Sequence, residues 1–219
     1  MLSKIVACLF LIWSGNALSS ISMLRNGTVV LSGHLSIEDY QKFLNISKQQ
    51  KVTHVKFHKC LSGNGLAAFR FAEKIRASKI NTIASSVVAS ACSLAFLGGT
   101  TRITDEEYAE NTIQFHGMFY PDSLLPKGRE ANQEVLNIWK QHIGFTFSKT
   151  TAEIILNTTE IDEGIFFIKR TKENVTSYVT LYCDGKSKLS MTACKPVTTT
   201  NLIMENILTE SILKDPPKK

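Results

Sequence analysis

Val87 to Gly99, VVASACSLAFLGG, sets one serine between an apolar, strand-like stretch and an apolar, helix-like one, with alanine on either side of it. A side chain that stands exposed at a sharp strand-to-helix turn needs small neighbours, because the turn cannot otherwise close. Ala89 and Ala91 meet that demand around Ser90. The backbone N–H of Ala91 and the positive end of the following helix would then face any oxyanion formed at Ser90. Plain packing of an apolar helix produces the same local pattern, so the flanking segments decide how it is read.

Upstream, VTHVKFHKCLSGNG predicts a strand over Val52 to His58 that runs into a glycine-containing loop, and LAAFRFAEKIRASK from Leu66 predicts an amphipathic helix. Glycine in such a loop lets a backbone N–H approach a substrate closely. Downstream, NTIQFHG places His116 at the end of a short apolar strand. Near the start, GTVVLSGHLSIEDYQKFLNISKQQ predicts a strand and then a helix, with Ser36 as N-cap and acids in the first turn. Strand and helix thus alternate through Ser90, which predicts an α/β fold of parallel strands joined by right-handed crossovers. Lys127 to His142 predicts one more amphipathic helix, with Val135, Leu136, Ile138, Trp139 and Ile143 as its apolar positions, after a loop containing Pro121 and Pro126.

Together these segments resemble the ClpP and crotonase superfamily, most closely the ClpP-like serine peptidases with their exported bacterial relatives, over about Leu31 to Tyr178. In that family a strand, a Ser-Pro-Gly-Gly-like loop and a helix are followed by Ala-Ser, an apolar helix, Gly and Arg, and then by a strand ending in His. The resemblance implies repeated β-β-α and β-α units around a mainly parallel sheet in a single domain. It implies Ser90 as nucleophile, His116 as general base, and Gly63 with Ala91 as oxyanion hole, with Gly99 and Arg102 after the nucleophile helix. Cys60-Leu61-Ser62-Gly63 falls on the first loop when no gap is allowed up to Ile75 and Arg76. The family's double glycine is replaced by Ser62-Gly63, with Asn64 and Gly65 beyond.

The third catalytic member would be an acid that fixes the histidine tautomer and balances its cation. Asp162, in NTTEIDEGIFFIKRTKENVTSY, is the candidate, with Glu160 and Glu163 as runners-up. In the family the acid shortly precedes a Ser/Thr-x-x-Glu helix start, which Thr171-Lys172-Glu173-Asn174 resembles. A gap-free count puts Phe167 at the acid's position, so Asp162 requires a short insertion. The segment Lys127 to Ile143 corresponds to an arm used in subunit contact, which implies a homo-oligomer.

A chain of 219 residues is long enough for one well-buried domain and too short for two of ordinary size. Its formal charge of +6 comes from lysines and arginines scattered along the chain rather than gathered in a stripe, so no nucleic-acid partner is expected. Lys4 precedes the apolar run IVACLFLIW, and Ala17 and Ser19 follow at minus-three and minus-one spacing, which predicts a secretory signal peptide over 1–19. An uncleaved anchor is the alternative, although the apolar run is short for a bilayer. The boundaries that follow are a signal peptide at 1–19, an α/β domain at 20–200 and a C-terminal tail at 201–219, with no stable membrane span after cleavage.

Export leaves Cys60, Cys92, Cys183 and Cys194, which allow three pairings in an oxidising compartment. Cys183 and Cys194 bracket a short segment with an Asp184-Gly185 turn, which favours a local bridge between them. The resemblance places Cys60 beside the elbow and Cys92 two residues past Ser90, and so supports their pairing; two free buried thiols are the alternative. His34, His54, His58 and His142 lack zinc-ligand spacing and the cysteines lack C-x-x-C, so no metal and no cofactor are expected.

The function these features predict is an exported serine hydrolase, periplasmic or secreted, acting as a peptidase on peptide or protein substrates. A catalytically inactive binding or scaffolding module of the same fold is the first alternative, favoured by the altered glycine loop and the missing gap-free acid. A crotonase-like acyl-CoA enzyme is the second, and export argues against it. A Ser-Lys dyad using Lys127, Lys140 or Lys149 has no supporting motif.

Overall fold

The computed structural model describes residues 20–117, 128–158, 163–184 and 194–209. Residues 1–19, expected from sequence as a signal peptide, lie outside the described residues, as do Lys127, Glu160, Asp162, Gly185 and the chain from 210 onward. Among those described, nine strands and five helices follow in the order β1 (Ser20–Met23), β2 (Thr28–Leu35), α1 (Ile37–Gln49), β3 (His54–Gly63), α2 (Gly65–Ala77), β4 (Asn81–Ala89), α3 (Ala91–Phe96), β5 (Arg102–Thr104), β6 (Glu110–Phe115), α4 (Arg129–Ile143), α5 (Lys149–Asn157), β7 (Glu163–Lys172), β8 (Val175–Asp184) and β9 (Lys195–Pro196). Local chemistry sets the helix starts. Ser36 and Asp39 form a reciprocal capping box at α1, and the Asn64 side chain accepts the Ala67 N–H at α2.

All nine strands join one sheet in the order β1-β2-β3-β4-β6-β7-β8-β9, with β5 paired to β4. The centre is parallel, from β2 through β3 and β4 to β5 and β6. Both flanks are antiparallel, so the sheet is mixed rather than mainly parallel. The helix start read at Thr171-Lys172-Glu173-Asn174 is instead a hairpin. Thr171 and Lys172 end β7, and Glu173 and Asn174, at φ +50° and +66°, make the two-residue turn into β8. Two successive positive φ values are the signature of the turn whose twist matches antiparallel strands. Residues rich in β-branched and aromatic side chains on either side, Ile165 to Ile168 and Val175 to Thr180, outweigh the short capping-like motif.

The core gathers fully buried phenylalanines from six elements: Phe43 of α1, Phe57 of β3, Phe71 of α2, Phe96 of α3, Phe115 of β6 and Phe167 of β7. Each contributes about 1.5–3 kcal/mol by burial. Helix α4 buries Trp139 and Ile143, and Val135, Leu136 and Ile138 are partly buried against the same core. The segment that the resemblance makes a subunit-contact arm thus packs part of its apolar face against its own chain.

Residues 201–209, read from sequence as the start of a tail, pack against the core through Leu202, Ile207 and Leu208. Two buried charges hold this segment. Arg102 donates from Nε to Ile207 O at 3.0 Å, from Nη1 to Gly99 O at 2.8 Å and from Nη2 to Asn206 O at 2.5 Å. Burial, with the nearby Arg76 charge, lowers its pKa to about 10, which still leaves it cationic at neutral pH. The Glu205 carboxylate accepts the Ser148 N–H at 2.8 Å and the hydroxyls of Ser148, Thr151 and Thr200, each at 2.5 Å. Burial alone would raise the Glu205 pKa, but these donors outweigh it and hold it below the ordinary carboxylate value. Ser148 also caps α5 by accepting the Thr151 N–H. Ser148→Ala is expected to cost about 1–2 kcal/mol, read from the urea midpoint, because it removes both roles; an unchanged midpoint would contradict the clasp.

Candidate functional site

Ser90 follows directly on β4 and is the N-cap residue of α3, at φ +59° and ψ −128°. That is the backbone of the first central residue in a type II′ turn, a position glycine normally fills. Holding a serine there costs about 1–3 kcal/mol, a strain that clusters at working sites. The Ser90 side chain makes no cap hydrogen bond; its carbonyl instead accepts the N–H groups of Ser93 at 3.1 Å and Leu94 at 3.2 Å. The hydroxyl is thus not spent on the helix, and Ala91 leads the first turn ahead of the bonded amides.

The stretch Cys60 to Gly63, expected from sequence as a loop, is the end of β3, paired with β2, and lies beside this turn. Cys60 stands opposite Val88 in the β3–β4 ladder, so the end of β3 and Ser90 share one edge of the sheet. A disulfide joins Cys60 to Cys92, with Cα atoms 5.7 Å apart, and the Cys92 Sγ lies 3.2 Å from the Ser62 carbonyl oxygen. Gly63 has φ +147°, and a Cβ there would fall 2.6 Å from the Leu35 N and Cβ, so only glycine fits against β2. On β2 the His34 ring makes a short hydrogen bond to the Ser62 hydroxyl. The second disulfide, Cys183 to Cys194, closes the end of β8 onto β9, with Cα atoms 4.4 Å apart.

His116 comes from the neighbouring strand. Ala89 stands opposite Gln114 in the parallel β4–β6 ladder, and the Ser90 N–H donates to Gln114 O at 3.2 Å. Ser90 and His116 are thus one and two residues past a paired position, on strands about 4.8 Å apart. Strand β4 changes partner from β5 to β6 between Ala84 and Val87, and Asn111 holds that switch by accepting the Ser86 N–H at 2.9 Å. A cavity of about 10 Å³ beside His116, lined by Leu94, Phe115, Gly117 and Phe147 among others, has room for about one water.

Strand β7 enters alongside His116, since Ile165 stands opposite Phe115 and a Cβ on Gly164 would fall 3.0 Å from the His116 Cβ. Glu163, at the start of that strand, accepts the Tyr182 hydroxyl at 3.1 Å. Burial and then this carboxylate raise the Tyr182 pKa. Asp162 and Glu160 lie outside the described residues. Lys140 and Lys149 are exposed on α4 and α5.

A second polar cluster, spread over β3, β4 and the residues after β5, went unread in the sequence. Lys56 pairs with Asp105 at 2.5 Å, Asp105 accepts the Ser85 hydroxyl at 2.7 Å, and Ser85 Oγ lies 3.1 Å from His58 Nδ1. The period-two alternation of Lys56 and His58 with apolar Val55 and Phe57 is the signal that puts them on one sheet face. Burial would raise the Asp105 pKa, but hydrogen bonds from Lys56, Ser85 and the Glu107 N–H, with the Lys56 charge, hold it low. Burial and the charges of Lys59 and Lys56 push His58 down. Burial would lower Lys56, but Asp105 and Glu107 raise it.

Stability linked to His58 is therefore full above about pH 6.5 and lost as pH falls through its folded value; that of Asp105 is lost below about pH 3.9. The Lys56 contribution is full below about pH 10.4 and lost as pH rises through its folded value. The urea midpoint is expected to fall on both sides of neutrality, and a midpoint flat from pH 7 to 4 would contradict this.

No protein-family model matches the sequence, and no curated protein matches it. A solved structure of the 1510-N membrane-bound stomatin-specific protease, in a serine-to-alanine mutant form, aligns with a TM-score of 0.39 at 16% identity, covering 60% of this chain and 72% of that one. Among the described residues no helix is long and apolar enough to cross a membrane.

Proposed function

We propose that the protein is an exported serine hydrolase of the ClpP-like peptidase type, with Ser90 as nucleophile and His116 as general base. The observation that carries this reading is the backbone of Ser90, at φ +59° and ψ −128°, on a strand-to-helix turn beside the strand that ends at His116. In this reading Ser90 Oγ attacks a substrate carbonyl, His116 takes its proton and returns it to the leaving group, and the N–H groups of Gly63 and Ala91 hold the oxyanion. Asp162 supplies the negative charge that balances the imidazolium.

Leu61 of β3 and Leu66 of α2 stand on either side of Gly63 at 45% and 53% exposure, an apolar rim suited to a peptide side chain or to a second copy of the chain. The two disulfides fit a periplasmic or extracellular site of action. Self-association belongs to the same reading, and a monomeric mass by light scattering at micromolar concentration would remove it. Turnover of short peptides and activated esters by the oxidised protein, blocked by a serine-directed phosphonate, is the expected result. A folded protein that turns over neither and ignores the phosphonate would be the noncatalytic module.

A further inference from the structure

His116 Nδ1 lies 2.5 Å from the carbonyl oxygen of Gly117. A carbonyl oxygen only accepts, so Nδ1 carries a proton, and in the neutral ring Nε2 then keeps its lone pair. That is the tautomer a general base toward Ser90 requires. The arrangement holds only while the backbone at Gly117 cannot turn, and two buried polar side chains fix it. The Gly117 N–H donates to Thr158 Oγ1 at 2.5 Å, and that hydroxyl donates onward to Ile155 O at 2.6 Å. On the other side the Asn132 amide presses against Gly117: a Cβ there would fall 2.7 Å from Asn132 Oδ1 and 2.8 Å from Cγ. Asn132 Nδ2 lies within hydrogen-bond distance of three carbonyls at the end of α5, those of Ile155 at 3.1 Å, Leu156 at 3.3 Å and Thr158 at 3.4 Å.

Asn132 and Thr158 are 2% and 1% exposed. Buried amides and hydroxyls destabilise a core unless they are bonded. Here the bonds tie the C-terminus of α5 to the residue after the histidine.

We propose that Asn132 and Thr158 are positioning residues for His116: Thr158 holds the Gly117 N–H and Asn132 packs against the Gly117 Cα, and together they fix this glycine so that its carbonyl accepts the hydrogen bond from Nδ1 and sets the tautomer. The proposal rests on the hydrolase reading and deepens it.

The test is ¹⁵N NMR of the imidazoles in the full oxidised chain, with His116 assigned through His116→Gln and phosphonate reactivity measured on the same samples. Neutral wild-type His116 is expected to be protonated on Nδ1, and to stay so in Asp162→Asn and Thr158→Ser. Asn132→Ala and Thr158→Val are expected to move the proton largely to Nε2, with phosphonate reactivity and kcat lowered about tenfold or more and KM little changed. If Asn132→Ala does not fold, the Thr158→Val and Thr158→Ser pair decides, because the serine restores the hydroxyl. An Nδ1 tautomer untouched by Thr158→Val, or lost in Asp162→Asn, overturns the proposal while leaving the hydrolase reading intact. A wild type that shows the expected tautomers yet never reacts at Ser90 overturns the hydrolase reading instead.

Discussion

Ser90→Ala is expected to remove hydrolysis by about 10⁴- to 10⁶-fold, with folding intact. The loss is large because in the proposed mechanism Ser90 alone supplies the attacking oxygen, and only the oxyanion contacts of the backbone N–H groups would remain. His116→Ala is expected to cost about as much, and the double variant little more, since both residues serve one proton transfer and their effects do not add. Asp162→Asn is expected to cost less, about 10²- to 10⁴-fold, because it removes the balancing charge without removing nucleophile or base. Ser90→Gly separates chemistry from strain. It removes the nucleophile but relieves a positive φ, so it is expected to raise stability by about 1 kcal/mol while abolishing activity. Ser90→Ala with near-normal kcat, or a less stable Ser90→Gly, would contradict the elbow.

Removing the Cys60–Cys92 bridge, as the double alanine variant, is expected to cost stability and activity together. The cysteines are 32 residues apart, and release of that loop in the unfolded chain corresponds to about 4 kcal/mol, within the usual range of about 2–5. Cys183 and Cys194, only 11 apart, correspond to about 3 kcal/mol by the same reasoning. The functional consequence separates the two bridges. Cys60 lies three residues before Gly63 and Cys92 two after Ser90, so the first bridge joins the two backbones assigned to the oxyanion hole. Its loss should lower kcat even where the protein stays folded, whereas loss of the second should lower only the urea midpoint. Full activity without the first bridge would show that the loop and the turn are held by other contacts.

The central fold was legible because its signals are local and repeated. Ser36 before an acidic first turn, the apolar strand running into Ser62-Gly63, and the small residues around Ser90 each fix a start or an end of an element. The flanks were less legible. Thr171 to Asn174 offers a weak helix start, and only the pairing of β7 with both β6 and β8 decides that it is a turn. Residues 201–209 carry no periodic signal, and their burial depends on Arg102 and Glu205 meeting partners about a hundred and about fifty residues away in the chain. Asn132 was hidden for the same reason. An asparagine on an amphipathic helix reads as surface, and only the approach of Gly117 and the end of α5 gives its amide a buried task.

The proposed mechanism stands or falls with Ser90 as a nucleophile activated by His116. Labelling the folded, oxidised protein with a serine-directed phosphonate and mapping the adduct by peptide mass spectrometry decides it. One adduct is expected, on Ser90, formed by wild type and absent from His116→Gln. No adduct on folded protein, or an adduct on Ser85 or Ser93 in place of Ser90, would contradict it.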